Sequence, residues 1–335
     1  MRRKWNLFNT DKREKAWTAS GVYESLIFAP HEWLVKLLAR PNFSDTVPAY
    51  YLDPYKSDKD ELGALARLPE ELLIYIVSLT SLDDAACLAS THRLLALEGF
   101  FHVRKLQRRK CAHWGSWAGD RIVTVGDSAS VLPPGILSPE EEAETEGHFF
   151  NFAWDRYERR PTTDGMALNC AGDEAGVPHA ALKRLSRHER GDHIRIRLLL
   201  KSTRPRYTST GSWALCNVDR KQYVRANVLA DMKMRGYWPH AGWAEGPFVR
   251  RTSRVIDLGG LALIMTAGSE DIGATGSVPP WAGDRLTVTT VGDLSEPGWE
   301  DVSSTGRSMA EDCIIADDGM MWKPWQSVED SDSGF

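Results

Sequence analysis

The sequence predicts an α+β protein in which a short helical domain of about three helices is attached to a β-rich mixed body. Apolar residues recur at helical spacing between residues 65 and 110, whereas the chain after Lys110 consists of short segments interrupted by glycine and proline. Two segments of this later part also repeat each other, which predicts two related strand–turn units. The expected order is an N-terminal hairpin and helix at 1–40, a linker at 41–64, the helical domain at 65–110, the β-rich body at 111–325 and a disordered acidic tail at 326–335.

Composition and charge limit the classes of function. The chain has 335 residues, of which 42% are hydrophobic and 26% are charged, as is usual for a folded protein. Because duplex-binding proteins are usually basic, a net charge of −5 disfavours nucleic acid as a partner. No apolar run reaches about 18 residues, so no membrane span is expected. The N-terminal residues MRRKWNLFN lack the apolar stretch of a signal peptide, and a cytoplasmic or nuclear location is expected.

Cysteine and histidine spacing argues against a disulfide framework and against a metal centre. The five cysteines lie far apart and form no CxxC pair. His188 and His193 are separated by a Gly191 interruption at i, i+5, whereas zinc-binding helices place two histidines at i, i+4, so a solvated loop is favoured here. No P-loop, GxSxG or GxGxxG motif is present either. The sequence therefore predicts no catalytic, metal-binding or cofactor-binding residue.

The N-terminal region is expected to fold together with the later part of the chain. Trp5–Arg13 (WNLFNTDKR) is similar to Trp213–Lys221 (WALCNVDRK), and in both a short apolar strand ends at an asparagine before a polar turn. His31–Arg40 has helical spacing and predicts a helix. If both hairpins belong to one folded body, the helical domain is an insertion carried on the proline-containing linker.

Residues 65–110 form the clearest helical block. The residues that recur at i, i+1, i+4 and i+5, and that are predicted to share one helical face, are Leu72, Leu73, Ile76 and Val77. Pro69 is favoured in a first helical turn, because its missing N–H has no partner there. A second helix is predicted to begin at an aspartate N-cap near Leu82–Asp84 and to end at Gly99, and Phe100–Lys110 predicts a third.

The β-rich body contains the second repeat. Ser116–Asp127 and Pro280–Asp293 both contain Trp-Ala-Gly-Asp-Arg followed by an aliphatic residue, and each predicts a turn that leads into a strand. Trp117 and Trp281 are expected to be core residues. Further strands are predicted at His193–Leu200, where apolar residues alternate with arginine, and in the apolar run Leu261–Thr266; Glu140–Glu146 predicts a helix face or a mobile loop.

Each Trp-Ala-Gly-Asp-Arg segment places an acid beside a base, in Asp120–Arg121 and in Asp284–Arg285. Such pairs could bind a polar ligand. Adjacent residues on a strand point to opposite faces, however, so each side chain is expected to satisfy a different local backbone group or ion pair. The structural role is the favoured interpretation.

The segment Leu65–Leu106 (LARLPEELLIYIVSLTSLDDAACLASTHRLLALEGFFHVRKL) resembles the F-box, whose pattern is LPxELLxxI, a leucine, an acidic turn and an apolar helix with a basic residue. The residues that match are Leu68, Pro69, Glu71, Leu72, Leu73, Ile76, Leu79, Leu82, Asp83, Leu88 and Arg93. The tryptophans usual near the end of the motif are absent, with Phe100 and Phe101 as candidates to replace them. WNLFNTDKREKA, WALCNVDRKQYVRANVLA and WAGDRIVTVGDSASVLPPGILSPEEEAE resemble stretches of a large group of fungal F-box proteins.

This resemblance implies docking onto the Skp adaptor of a cullin–RING (SCF-type) ubiquitin ligase, with the β-rich body holding an unknown protein substrate. The residues expected to contact the adaptor are Leu68, Pro69, Leu72, Ile76 and Leu82. A short helical unit with an apolar face fits this role, because a partner's groove would cover that face.

Three alternatives remain open at the level of sequence. The same residues could pack against the chain's own β-rich body, or the protein could be a binding or scaffold protein outside a ubiquitin ligase. It could also be an enzyme with an unrecognised site in that body. Surface exposure of Leu72 and Ile76 would favour docking, their burial would favour internal packing, and a deep pocket with converging Asp, Glu or His would favour an enzyme.

Overall fold

A computed structural model describes residues 4–16, 27, 31–43, 45–52, 63–65, 67–127, 132, 134–145, 147–160, 190–208, 211–230, 246–248, 256–267 and 280–321. The strands are β1 (Trp5–Asn9), β2 (Glu14–Ala16), β3 (Asp120–Gly126), β4 (Glu158–Arg160), β5 (Trp213–Asn217), β6 (Gln222–Arg225), β7 (Arg285–Thr290) and β8 (Glu300–Asp301). The helices are α1 (Glu32–Leu38), α2 (Ala49–Leu52), α3 (Glu70–Ser78), α4 (Leu82–Thr91), α5 (Arg93–Lys110), α6 (Pro139–Thr145), α7 (Phe149–Arg156), α8 (Arg190–Thr203), α9 (Ala226–Ala230), α10 (Leu258–Met265) and α11 (Ser303–Met321). These elements confirm the α+β class. The tail at 326–335 and His188 lie outside the described residues.

The described residues form two compact units. The sheet unit joins those within 1–38, 117–161 and 210–335, and the helical unit joins those within 39–116 and 162–209. The N-terminal hairpin and α1 therefore share a unit with both Trp-Ala-Gly-Asp-Arg segments. The first segment of the helical unit lies in the chain between α1 and β3, and the second segment lies between β4 and β5 and contributes α8.

Within the described ranges, the sheet unit contains one eight-stranded sheet in the order β4-β2-β1-β3-β7-β5-β6-β8. β1–β2 and β5–β6 are antiparallel hairpins. Each hairpin has an antiparallel inner neighbour, β3 or β7, and a parallel outer neighbour, β4 or β8. The sheet is therefore built from the same strand arrangement twice, and the two halves meet where β3 pairs with β7.

The two hairpin turns are held by the same side-chain contacts. The side-chain oxygen of Asn9 accepts from the Lys12 N–H at 2.9 Å, and that of Asn217 accepts from the Arg220 N–H at 3.0 Å. Asparagine favours such turns because its side chain can bond the backbone a few residues further on. The asparagine that ends each apolar segment is thus the residue that turns the chain.

Both tryptophans of the repeated segments are fully buried, as expected of core residues. The Trp117 Nε1–H donates to Glu14 at 2.5 Å, and the Trp281 Nε1–H donates to Gln222 at 3.1 Å. A buried indole N–H needs such an acceptor. In each half, the tryptophan therefore ties the turn before the inner strand to the second strand of the hairpin.

Two predicted strands are helices, so both of these predictions were wrong. His193–Leu200 lies in α8, whose buried residues Ile196, Leu199 and Leu200 follow helical spacing. This helix packs against α4 and α5 in the helical unit, and His193 lies in its first turn rather than in a loop. The apolar run Leu261–Thr266 falls mostly in α10, of which all residues are buried.

The helical unit differs from the prediction at three helix ends. Ser81, rather than an aspartate, caps α4, and its Oγ accepts from the Asp84 N–H at 3.2 Å. α4 ends at Thr91, and the buried His92 caps α5 by accepting from the Leu94 N–H at 3.1 Å. The predicted stop at Gly99 was wrong, because this glycine lies in the middle of α5.

Part of the expected linker belongs to the core of the helical unit. Tyr51 of α2 is fully buried, and its ring lies 5.7 Å from the ring of Phe100. Its hydroxyl donates to the carbonyl oxygen of Ala96 at 3.2 Å. Residues 49–52 therefore contribute a packed turn of helix rather than a free connection.

Candidate docking surface

α3 divides its apolar residues between the interior and the surface. Leu73 and Val77 are buried against Leu95 of α5. Leu72 and Ile76 are 47% and 36% exposed, although the sequence placed all four on one face. The face is wide enough for one edge to pack internally while the other edge remains at the surface.

The exposed edge of α3 carries more apolar residues than the sequence predicted. We call it the apolar stripe, and its members are Leu72, Tyr75 and Ile76 together with Leu79, which caps the C-terminal end of α3. The spacing of three, four and seven residues from Leu72 aligns them along one side of the helix. Tyr75 and Leu79 were not among the predicted contacts, although this spacing could have identified them.

Of the other three residues predicted to contact the adaptor, one is exposed and two are half-buried. Pro69 is exposed at the start of α3 and adjoins the apolar stripe in helical projection. Leu68 is half-buried and packs with Leu73 and Leu95, and Leu82 is half-buried against the core around α4. Three of the five predicted residues therefore lie at the surface, and the other two mainly support the helical packing.

A pair of carboxylates lies where the start of α3 approaches α5. Partial burial of Glu98 raises the pKa of its carboxyl, and the negative charge of Glu70 raises it further. Glu71 adds a second exposed acid in the first turn of α3. The N-terminal end of the apolar stripe is therefore acidic.

A buried acid–histidine pair, which the sequence did not reveal, lies in the sheet unit. Asp257 caps α10 by accepting from the Gly260 N–H at 2.8 Å, and it also accepts from the His31 N–H at 3.2 Å. The His31 Nδ1 lies 3.4 Å from Oδ1 of Asp257. Because His31 is only 1% exposed, a substrate cannot reach its ring. The pair joins the N-terminal ends of α1 and α10.

The acid–base pairs of the repeated segments are engaged locally, as expected. Asp120 accepts from the Asn9 amide at 2.8 Å and from the Lys12 ammonium at 2.7 Å. The corresponding Asp284 accepts from Asn217 and from Arg220, each at 2.7 Å. Both aspartates therefore hold the hairpin turn of their own half.

No group of three or more His, Cys, Asp or Glu side chains in the described residues is arranged to hold a metal ion. Among the same residues, no helix combines the length and apolar character needed to cross a membrane. Comparisons with models of protein families, with curated proteins and with solved structures gave no match.

Proposed function

We propose that this protein is an F-box adaptor that recruits a protein substrate to a cullin–RING ubiquitin ligase. In this proposal, the apolar stripe of α3 docks in an apolar groove of the Skp adaptor, and the sheet unit holds the substrate. The observation that carries the proposal is the exposure of Leu72, Tyr75, Ile76 and Leu79 along one side of a single helix.

Docking would remove water from the apolar stripe. Full burial of a leucine or isoleucine side chain contributes about 1.5–3 kcal/mol. Because Leu72 and Ile76 are 47% and 36% exposed, covering them gains only that share, and the stripe as a whole offsets part of the cost of association. The side chains already lie on a helix that Leu73 and Val77 anchor to the helical unit. A groove in the partner would therefore bind a preformed helix, which reduces the ordering cost.

The alternative of internal packing is less well supported. Leu72 and Ile76 would have to be covered by another part of the chain, yet both are exposed. A binding or scaffold protein outside a ubiquitin ligase would use the same stripe for another partner. Capture of the Skp adaptor distinguishes this case from the proposal.

The test is co-purification of the full chain with the Skp adaptor. Leu72→Asp is expected to abolish capture, because docking would bury a carboxylate without a partner. The matched control is Ile74→Asp, since Ile74 lies on the same helix and is similarly exposed, at 43%, but points about 160° away from Leu72. Ile74→Asp should therefore leave capture intact. Equal capture of the wild type and Leu72→Asp, or no capture of the wild type, would contradict the proposal.

A further inference from the structure

The two halves of the sheet place an arginine at the same position, directly after Trp-Ala-Gly-Asp. Arg121 is the second residue of β3, after Asp120, and Arg285 is the first residue of β7; the two are paired across the junction. The Arg121 N–H donates to Asp11 at 2.8 Å, and the Arg285 N–H donates to Asp219 at 2.7 Å. The backbone setting of the two arginines is therefore equivalent.

The two guanidinium groups have different surroundings. Glu141 binds Arg121 with both carboxylate oxygens, at 2.8 Å from Nη2 and 3.2 Å from Nη1. Within the described part of the chain, the guanidinium of Arg285 donates only through Nη1, to Asp219 at 3.1 Å. The Arg285 side chain is 48% exposed, against 22% for Arg121. Arg285 therefore retains N–H groups for a further acceptor.

The segment that encloses Arg121 has two contact points. Ile136 packs on Gly283 of the opposite half, where an added β-carbon would lie 2.6 Å from Ile136 Cγ2. Its carbonyl oxygen accepts from Arg121 Nη1 at 3.3 Å. Glu141 then binds the guanidinium and also accepts from the Ser138 N–H at 2.7 Å, as the glutamate of a helix-capping box does. The segment thus combines an apolar contact with a carboxylate held at the start of α6.

The corresponding positions in the repeat are Gly119 and Arg285. Among the described residues, no segment like 136–141 covers them. Gly119 corresponds to Gly283, and no heavy atom of the described part of the chain lies within 4 Å of the position of an added β-carbon. The chain between β3 and β4 contains α6 and α7, whereas between β7 and β8 it contains only residues 291–299. Gly119 is half-buried and Arg285 is exposed, so both retain surface that a partner can contact.

We infer that Gly119 and Arg285 bind an acidic segment of a partner protein in the way that Gly283 and Arg121 bind residues 136–141 of this chain. The segment would place an apolar side chain on Gly119 and, five residues later, a glutamate on Arg285. Bidentate arginine–carboxylate pairs are among the stronger hydrogen-bonded contacts and fix the orientation of the ligand. This inference rests on the part of the proposed function that assigns substrate binding to the sheet unit, and it does not depend on the adaptor.

The test uses a fluorescein-labelled peptide with the sequence of residues 134–146, PGILSPEEEAETE, as the probe. Its binding to the full chain is measured by fluorescence anisotropy. Arg285→Gln is expected to weaken binding about tenfold, which corresponds to about 1.4 kcal/mol. A peptide in which the glutamate corresponding to Glu141 is replaced by glutamine should bind the wild-type chain with an affinity reduced by the same factor. The control variant is Arg307→Gln, because Arg307 is a comparably exposed arginine of the same unit that pairs with Glu311 and should leave binding unchanged.

Two further measurements separate the possible outcomes. Arg285→Lys keeps the charge but not the bidentate geometry and should bind with intermediate affinity, which guards against a folding defect of the glutamine variant. Capture of the Skp adaptor by Arg285→Gln should remain normal, so failure of peptide binding is distinguishable from failure of adaptor docking. No binding to the wild type would overturn the inference. Equal binding to the wild type and Arg285→Gln would also overturn it and would indicate exchange with the chain's own segment at Arg121.

Discussion

Gly99 of α5 lies so close to Ala89 of α4 that an added β-carbon would be 2.4 Å from the Ala89 β-carbon. Real β-carbons do not approach each other to this distance, so the two helices cross closely only because residue 99 is glycine. The glycine that the sequence suggested as a helix stop is therefore a packing residue.

Gly99→Ala is expected to destabilise the helical unit by about 1–3 kcal/mol, because overpacking outweighs the gain in helix propensity. Urea unfolding followed by circular dichroism measures this change. Adding Ala89→Gly should restore part of the loss, since it removes the opposing methyl group. A Gly99→Ala variant as stable as the wild type would show that α4 and α5 can separate freely.

Tyr51→Ala tests whether the expected linker belongs to the helical core. The loss of a fully buried aromatic ring should cost about 3–5 kcal/mol of unfolding free energy. The adjacent Tyr50→Ala is the control, because Tyr50 is 44% exposed and its loss should cost about 1 kcal/mol or less. Chemical denaturation of both variants gives the comparison. Similar small effects would contradict the packing of α2.

Asn6→Ala is expected to stabilise the sheet unit by about 1 kcal/mol, because a buried polar group without a hydrogen bond carries a desolvation cost. Asn6 in β1 is fully buried, and its amide forms no hydrogen bond within the described residues. At the corresponding place in β5 the chain has Ala214, which is also buried. Asn9→Ala is the opposite control, since that amide bonds Asp120 and its loss should destabilise. The melting temperatures of the two variants, measured by thermal unfolding, give the comparison. A lower melting temperature for Asn6→Ala than for the wild type would contradict this account.

Asp257→Asn should lower the free energy of unfolding by about 2 kcal/mol near neutral pH, because hydrogen bonds to a charged group are stronger than neutral ones. Burial alone would raise the pKa of Asp257. The adjacent His31 imidazole and the N–H groups of Gly260 and His31 outweigh burial and leave the pKa of this carboxyl below its ordinary value of 3.8.

The pH dependence has a definite sign. Because folding lowers the pKa of Asp257, its contribution to stability is present above the ordinary value of 3.8 and is lost as the pH falls through the folded-state pKa. Urea unfolding from pH 7 to pH 3 should therefore show the wild type and Asp257→Asn converging in acid. A difference that stays constant over this range would show that the charge of Asp257 does not contribute.

The sequence by itself determined the features that depend on neighbouring residues. The hairpins follow from Asn9 and Asn217, because asparagine bonds its own turn. The prediction that a helix begins near Pro69 also depended on local sequence, and Pro69 lies one residue before the first turn as the N-cap of α3. The buried positions of Trp117 and Trp281 followed from large apolar residues in a repeated segment.

Tertiary packing decided the features that local patterns leave ambiguous. The alternation in His193–Leu200 fits a strand over a few residues, but burial of Ile196, Leu199 and Leu200 against α4 and α5 selects a helix. A wholly apolar run such as Leu261–Thr266 has no periodicity to indicate its structure.

Tertiary packing also decided the two proposed surfaces, the apolar stripe of α3 and the surface at Gly119 and Arg285. Only the position of α5 determines that Leu73 is buried while Leu72 is exposed, because both residues satisfy the same helical spacing. Arg121 and Arg285 occupy the same local sequence, and the contacts of Glu141 and of the Ile136 carbonyl oxygen with Arg121 make their surroundings differ. Exposure and ion pairing depend on contacts between distant parts of the chain, and these contacts exist only once the protein is folded.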